Sequence, residues 1–232
     1  MDQAAPLPPH LVARSILRLA IVNGLMLWGL LWAADRADWA GAYWCLGLLF
    51  GGLVASVLYL ARVNREVLAA RLRFGEGTRR WDYLMIAILV VGTTALLHVA
   101  GFGLRLDWPR FPLWAEVIGN VVMLLSVAGA TWPQAVNRHF ETGVRIQSDR
   151  AHAVIDTGPY AIVRHPGYIA GALILIGMAL ALGSPHALIP AGLVIASVAV
   201  RTLLEERVLA ADLPGYSDYM RRVRYRWIPG VW

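Results

Sequence analysis

Six stretches of the chain run almost without charge: 16–34, 39–61, 83–104, 111–136, 168–182 and 186–204. A helix needs about 20 apolar residues to cross a hydrocarbon layer, so the first four each predict a membrane-spanning helix. The last two are shorter and are joined by Gly183-Ser184-Pro185. That is turn chemistry, and it predicts a tight helical hairpin. The expected fold is all-α, a polytopic membrane bundle of about six transmembrane helices ending in the hairpin. The count falls to five if the hairpin dips in without crossing.

The polar positions between these stretches are segregated. Arg14, Arg18, Arg62, Arg65, Arg71, Arg73, Arg79 and Arg80 fall on one side with Arg138, Arg145, Arg150, Arg164, Arg201, Arg207, Arg221, Arg222, Arg224 and Arg226. Only Arg36, Arg105 and Arg110 fall on the other. The positive-inside rule then places the larger set, with both termini, in the cytoplasm. An odd number of crossings would break the segregation, which favours six. Trp39, Trp81, Trp108 and Trp114 lie near predicted span ends, where an aromatic belt sits. The N-terminal run is too long for a cleavable signal and lacks a small-residue cleavage site. Residues 1–10, rich in Pro and Ala, are expected to be poorly ordered.

Composition sharpens this picture. Of 232 residues 58% are hydrophobic and 16% charged, against about 25% charged in a soluble domain. The formal charge of +6 is carried by arginine alone, since the chain has no lysine. In so membrane-bound a chain this basicity does not point to nucleic acid. The single cysteine, Cys45, excludes an intrachain disulfide and a cysteine metal site. The six histidines are scattered without metal-binding spacing, and no metal is expected. The nucleophile-elbow, phosphate-loop and dinucleotide glycine patterns are also absent.

Candidate chemistry brackets the hairpin. On one side stands Gly158-Pro159-Tyr160-Ala161-Ile162-Val163-Arg164-His165-Pro166-Gly167-Tyr168, on the other Arg201-Thr202-Leu203-Leu204-Glu205-Glu206. The connection 137–165 is the longest polar one; Val144-Arg145-Ile146-Gln147 alternates as an extended piece would, and Asp156-Thr157-Gly158-Pro159 reads as a turn. Pro166 suits the first position of a helix, where its missing N–H is not needed. The N–H groups after it, with Arg164, form a candidate anion site, unless Arg164 simply snorkels at the interface. His165 is a candidate ligand, base or hydrogen-bonding partner. Tyr160 and Tyr168 suit packing over a cation or an adenine ring, or equally interfacial anchoring. Glu205 and Glu206 point about 100° apart on a helix and so do different jobs. Arg201, one turn earlier, can reach Glu205 and neutralise it, leaving the other carboxylate for a ribose diol, an amine or a sulfonium. A solvated helix end with an ordinary ion pair is the simpler alternative. Asn23, His98, Glu116 and Asn120 are the other polar residues in spans; the asparagines suit bonds between helices and His98 suits packing. The tail, 213–232, interleaves arginine with Tyr216, Tyr219, Tyr225, Trp227 and Trp232. It suits anionic headgroups or a lid over the polar site.

Taken together, Gln147, His152, Gly158-Pro159-Tyr160, Arg164-His165-Pro166, Tyr168, Gly171, Arg201, Glu205-Glu206 and the Gly215-Tyr216-x-x-Tyr219 tail resemble the isoprenylcysteine carboxyl methyltransferases and the related phospholipid methyltransferases. The resemblance covers the chain from Asn137 onward. It implies an integral membrane enzyme using S-adenosyl-L-methionine, in one domain: a four-span bundle (1–136) and a cofactor-binding catalytic part (137–232). It implies that Gln147, His152, Gly158, Tyr160, Arg164, His165, Tyr168, Glu205 and Glu206 bind the cofactor on the cytoplasmic side. Arg201 and Glu206 are the implied catalytic residues, and a small or lipidic acceptor enters from the membrane. Where the family tail often has Val-Pro-Arg before Ile-Pro, this chain has Val223-Arg224-Tyr225-Arg226-Trp227-Ile228-Pro229. The all-arginine composition reads as bacterial, which places the chain in an inner membrane. A phospholipid N-methyltransferase, an NADPH-dependent membrane reductase and a non-enzymatic membrane module remain as alternatives. The oligomeric state is left open.

Overall fold

The computed structural model describes residues 9–72 and 77–232. Arg73 and nearly all of the stretch 1–10 lie outside the described residues. Among those described there are eight α-helices and no strand: α1 (Pro9–Ala34), α2 (Ala40–Val63), α3 (Arg65–Leu72), α4 (Arg80–Arg105), α5 (Leu113–Val136), α6 (Pro166–Ala181), α7 (Leu188–Asp212) and α8 (Tyr216–Arg222). Five of them, α1, α2, α4, α5 and α7, are long and apolar enough to cross a membrane. The hydrophobic stretches predicted these elements well. The short α3 and α8 were not foreseen, because eight and seven residues carry too little periodicity to stand out.

α6 has 16 residues and is about 24 Å long. Its position shows what it spans. At its start Gly167 lies against Phe140 and Pro133, at the end of α5. Just past its end Gly183 accepts a hydrogen bond from the Phe111 N–H, at the start of α5. α6 thus runs antiparallel to α5 through the same layer. The two helices touch backbone to backbone: a Cβ on Gly177 would stand 2.9 Å from Gly119 O and 2.9 Å from Met123 N. Only glycine permits this approach, which is the small-residue packing of membrane helices.

The core is drawn from all six long elements, including Leu30, Leu46, Leu97, Met123, Met178 and Val194. Large apolar side chains on the outside, such as Leu25, Trp28, Trp44, Val91 and Leu125, face outward as a lipid-exposed surface requires. Asn23 donates to Leu46 O at 3.0 Å across the α1–α2 contact, and His98 Nδ1 lies 2.8 Å from Thr94 O in its own helix. Trp39 departs from the belt reading: it is buried, with Arg110 over its ring at 5.7 Å.

The connection 137–165 contains no strand. Val144 nevertheless behaves as an extended residue, accepting from the Arg79 N–H at 3.0 Å and donating to Asp82 Oδ2 at 2.7 Å. These bonds pin the connection to the start of α4. Arg79 also pairs with Asp212 at the end of α7. The start of α4 and the end of α7 therefore share the arginine-rich end of the bundle with the connection.

Candidate functional site

At that end a cavity of about 560 Å³ opens between α5, α6, α7, α8 and the 137–165 connection, and continues down between the spans to Met26, Leu49 and Leu89. Its upper part is polar and its lower part apolar. Helix starts and turns position the polar groups. His165, at φ −128 and ψ 60, breaks from the α6 helix just ahead of Pro166. The N–H groups of Arg164 and His165 are therefore free of α6, and donate to Tyr225 O and Arg226 O at 2.9 Å each. The C-terminal residues lie along this break as a strap.

The Arg164 side chain faces the strap as well. Nη1 donates to Val223 O and Arg224 O at 2.7 Å each, and Nε to Glu206 Oε1 at 2.6 Å. Glu206 is 4% exposed and also meets His165 Nε2 at 3.2 Å and Arg226 Nε at 2.8 Å. Trp227 Nε1 closes the strap on Thr202 Oγ1 at 3.0 Å. Both Glu206 oxygens are thus occupied by basic groups, and the carboxylate joins α6, α7 and the tail. The candidate anion site at the α6 start is not what Arg164 builds.

Glu205, one residue earlier, faces the cavity. It accepts from Tyr168 OH at 2.5 Å, and His165 Nδ1 lies 4.0 Å away. The Tyr168 and His165 rings stack at 5.4 Å with planes 3° apart, and the Arg201 guanidinium lies over the Tyr168 ring, 5.6 Å from its centroid. The expected Arg201–Glu205 pair does not form. Arg201 pairs instead with the fully buried Asp82, Nε to Oδ1 at 2.7 Å and Nη2 to Oδ2 at 3.0 Å. The Nε contact is poorly aligned for a hydrogen bond and is chiefly ionic. Arg201 also donates to Thr142 O at 2.7 Å.

The roof of the cavity is organised by Gln147. Its Nε2 donates to His139 O at 2.6 Å and its Oε1 accepts from Arg150 Nη1 at 3.0 Å. The His139 and His152 rings lie 4.6 Å apart. Each accepts a backbone N–H: Gln147 N reaches His152 Nδ1 and Ala153 N reaches His139 Nε2, both at 3.3 Å. An accepting ring nitrogen carries no proton, so both rings are neutral here. Burial lowers the pKa of both, and for His152 burial plus the neighbouring His139 brings it to about 4. Tyr160 OH accepts from Asn137 at 3.1 Å, and Tyr160 O from Tyr219 OH at 2.8 Å, which seats α8 against the roof. Burial raises the Tyr160 phenol well above its ordinary pKa, so it stays protonated.

The structure therefore brings Gln147, His152, Tyr160, Arg164, His165, Tyr168, Arg201 and Glu205 onto one cavity wall. Glu206 lies behind that wall. Gly158 lies on the far side of its turn, where φ +58 calls for glycine and a Cβ would stand 3.3 Å from Val136. Asp82, Asn137, His139, Thr142 and Arg71 are additional site residues that the sequence did not single out. Asp82 lies close to Arg79 and Arg80 at the start of α4, in no motif that would mark it. Its partner is 119 positions away.

Residues 114–213 match the model of the phospholipid methyltransferase family. This segment is similar to that family. It takes in α5, α6, α7 and the connection, hence every residue of the wall between Gln147 and Glu205. Asp82, Arg71 and the strap fall outside it. A solved structure of the eukaryotic intramembrane Ras methyltransferase, isoprenylcysteine carboxyl methyltransferase, matches over 92% of this chain and 75% of that one, with 20% identity and a TM-score of 0.39. No curated protein matches the chain. Both named groups are membrane methyltransferases, and the present chain is an integral membrane protein similar to them.

Proposed function

We propose that this chain is an S-adenosyl-L-methionine-dependent methyltransferase acting on a small or lipidic acceptor at the cytoplasmic face of its membrane. The observation that carries the reading is the single cavity with a polar chamber at the arginine-rich end and an apolar arm between the spans. A water-soluble donor suits the first and a hydrocarbon-bearing acceptor the second. The similarity of residues 114–213 to the phospholipid methyltransferase family supports the reaction class.

The chamber fits the cofactor by its chemistry. Its volume of about 560 Å³ lies within the roughly 300–1,000 Å³ of ligand pockets. Glu205 has no arginine within ion-pair distance among the described residues, which leaves its charge available to a cationic or hydroxyl-bearing ligand. Tyr168, His165, Tyr160, His152 and Gln147 would line the remainder. When bound, the cofactor supplies an electrophilic methyl group on a cationic sulfur.

The chain's own residues would act by holding and screening. Tyr168 and His165 fix Glu205 through one hydrogen bond and one ring stack. Glu206, anchored on Arg164, His165 and Arg226, keeps His165 and the strap in register; it is a positioning residue in this reading. Arg201, locked on Asp82, presents a fixed cation beside the Tyr168 ring, where it orients an acceptor. The buried roof keeps bulk water from the chamber.

The test is calorimetry on the purified chain with S-adenosyl-L-methionine, S-adenosylhomocysteine and NADPH. Micromolar binding of the adenosyl ligands and none of NADPH is expected. Binding of NADPH alone would favour a reductase, and binding of none of the three would remove the enzymatic reading.

A further inference from the structure

The strap has a polar leg and an apolar tip. Arg221, Arg222 and Arg224 are exposed along the leg. Past Trp227 the character reverses: Ile228 is 50% and Val231 76% exposed. The tip is a closed turn. The N–H groups of Val231 and Trp232 both donate to Ile228 O at 3.1 Å, and Gly230 supplies the left-handed φ of +80 that the reversal needs. The Trp232 ring meets Trp227 edge-on at 5.4 Å and lies under the Arg226 guanidinium, 5.4 Å away. With the tryptophan folded inward, Ile228 and Val231 form the outer face of the turn.

Depth decides what that face meets. Trp227 is bonded to Thr202, which lies about 15 Å short of the α7 end at Asp212. Measured from Leu188, beside the hairpin turn, Thr202 lies about 21 Å along α7, less than the length of α6. Val200 and Leu203, on either side of Thr202, are exposed apolar residues of the same candidate span. The strap therefore turns back from the arginine-rich end into the layer of the spans, and its tip continues the lipid-facing surface of α7. Directly before the tip the strap grips the site wall: Arg226 Nε holds Glu206 at 2.8 Å, and Tyr225 O and Arg226 O accept from the Arg164 and His165 N–H groups.

We propose that the turn 228–232 is an interfacial membrane anchor, with Ile228 and Val231 inserted among the headgroups and upper acyl chains, and that this insertion holds the strap on Glu206 and His165. A bilayer fits the face because arginines stand above the tip and apolar span residues lie beside it, the order in which phosphates and hydrocarbon follow one another. The methyltransferase reading enters only through the cofactor: a strap held down by lipid makes S-adenosyl-L-methionine affinity depend on the tip.

The test puts one nitrobenzoxadiazole fluorophore on the full chain in lipid nanodiscs through Val231→Cys; the native thiol, Cys45, is buried. Asp218→Cys, on the exposed side of α8, gives the reference label. Quenchers are aqueous iodide and phosphatidylcholine carrying a nitroxide on the headgroup, high on the acyl chain or near its end. The label at 231 should be quenched by the headgroup and upper-chain nitroxides and spared by iodide, and the label at 218 should behave oppositely. Iodide quenching at 231 equal to that at 218 overturns the anchor, and so does shielding from iodide and lipid alike, as a second copy seated on the turn would give. In the unlabelled chain, Val231→Asp should speed hydrogen exchange at the Arg164 and His165 amides by about tenfold and weaken S-adenosyl-L-methionine by about threefold or more, while Val231→Leu leaves both near wild type. Unchanged exchange in Val231→Asp overturns the coupling of anchor to site. If the chain binds no adenosyl ligand, quenching and exchange still decide the anchor, and only the methyltransferase reading falls.

Discussion

Glu205 and Glu206 are adjacent in sequence, and a helix turns them about 100° apart into different surroundings. Glu206 receives Arg164, His165 and Arg226, while Glu205 receives a phenol and faces the cavity. The two neutral variants should therefore separate. Glu206→Gln leaves buried arginines without their counter-charge and is expected to cost about 3–5 kcal/mol of stability, read as a large drop in the thermal midpoint. Glu205→Gln should leave the stability within about 0.5 kcal/mol of wild type and weaken S-adenosyl-L-methionine about tenfold or more by calorimetry. That the pair divides its labour was legible from helical geometry alone. Which carboxylate stays free was not, because the choice is made by Asp82, which takes Arg201 from the neighbouring helix α4, and by a tail that folds back onto residue 164.

At the scale of elements, the roof depends on two neutral histidines. Both have folded-state pKa values lowered by burial, His152 to about 4, against about 6.5 when free. A loosened roof therefore binds protons that the closed roof refuses. The contribution to closure is complete above about pH 6.5 and is lost as the pH falls from there toward 4. Hydrogen exchange at the Gln147 and Ala153 amides, which donate to these rings, should accelerate over that interval beyond the intrinsic pH effect. His152→Gln should blunt the change. Sequence pattern located the long helices because each carries many apolar positions. It located the roof only as a polar connection, since single hydrogen bonds from Gln147, Arg150 and Asn137 shape it and none repeats with a period.

At the scale of the whole molecule, α6 reaches between the same two surfaces as α5 with 16 residues against 24. Its length of about 24 Å falls short of a hydrocarbon core of about 30 Å. Polar groups cap both ends: Arg164 and His165 at one, Ser184 and His186 at the other. Where α6 meets lipid, as at the exposed Leu173, the bilayer is expected to thin by several ångströms to match it. The polar chamber then lies in a dimple below the surrounding headgroups, where a soluble donor descends and a lipid headgroup need not rise. Lipid chain length becomes a control on the protein. In reconstituted bilayers of increasing acyl length, S-adenosyl-L-methionine affinity should fall as the dimple grows costlier to hold; an affinity indifferent to chain length would mean that the pinch is not there. A membrane that thickens with its lipid composition would thus turn this protein down without any ligand touching it.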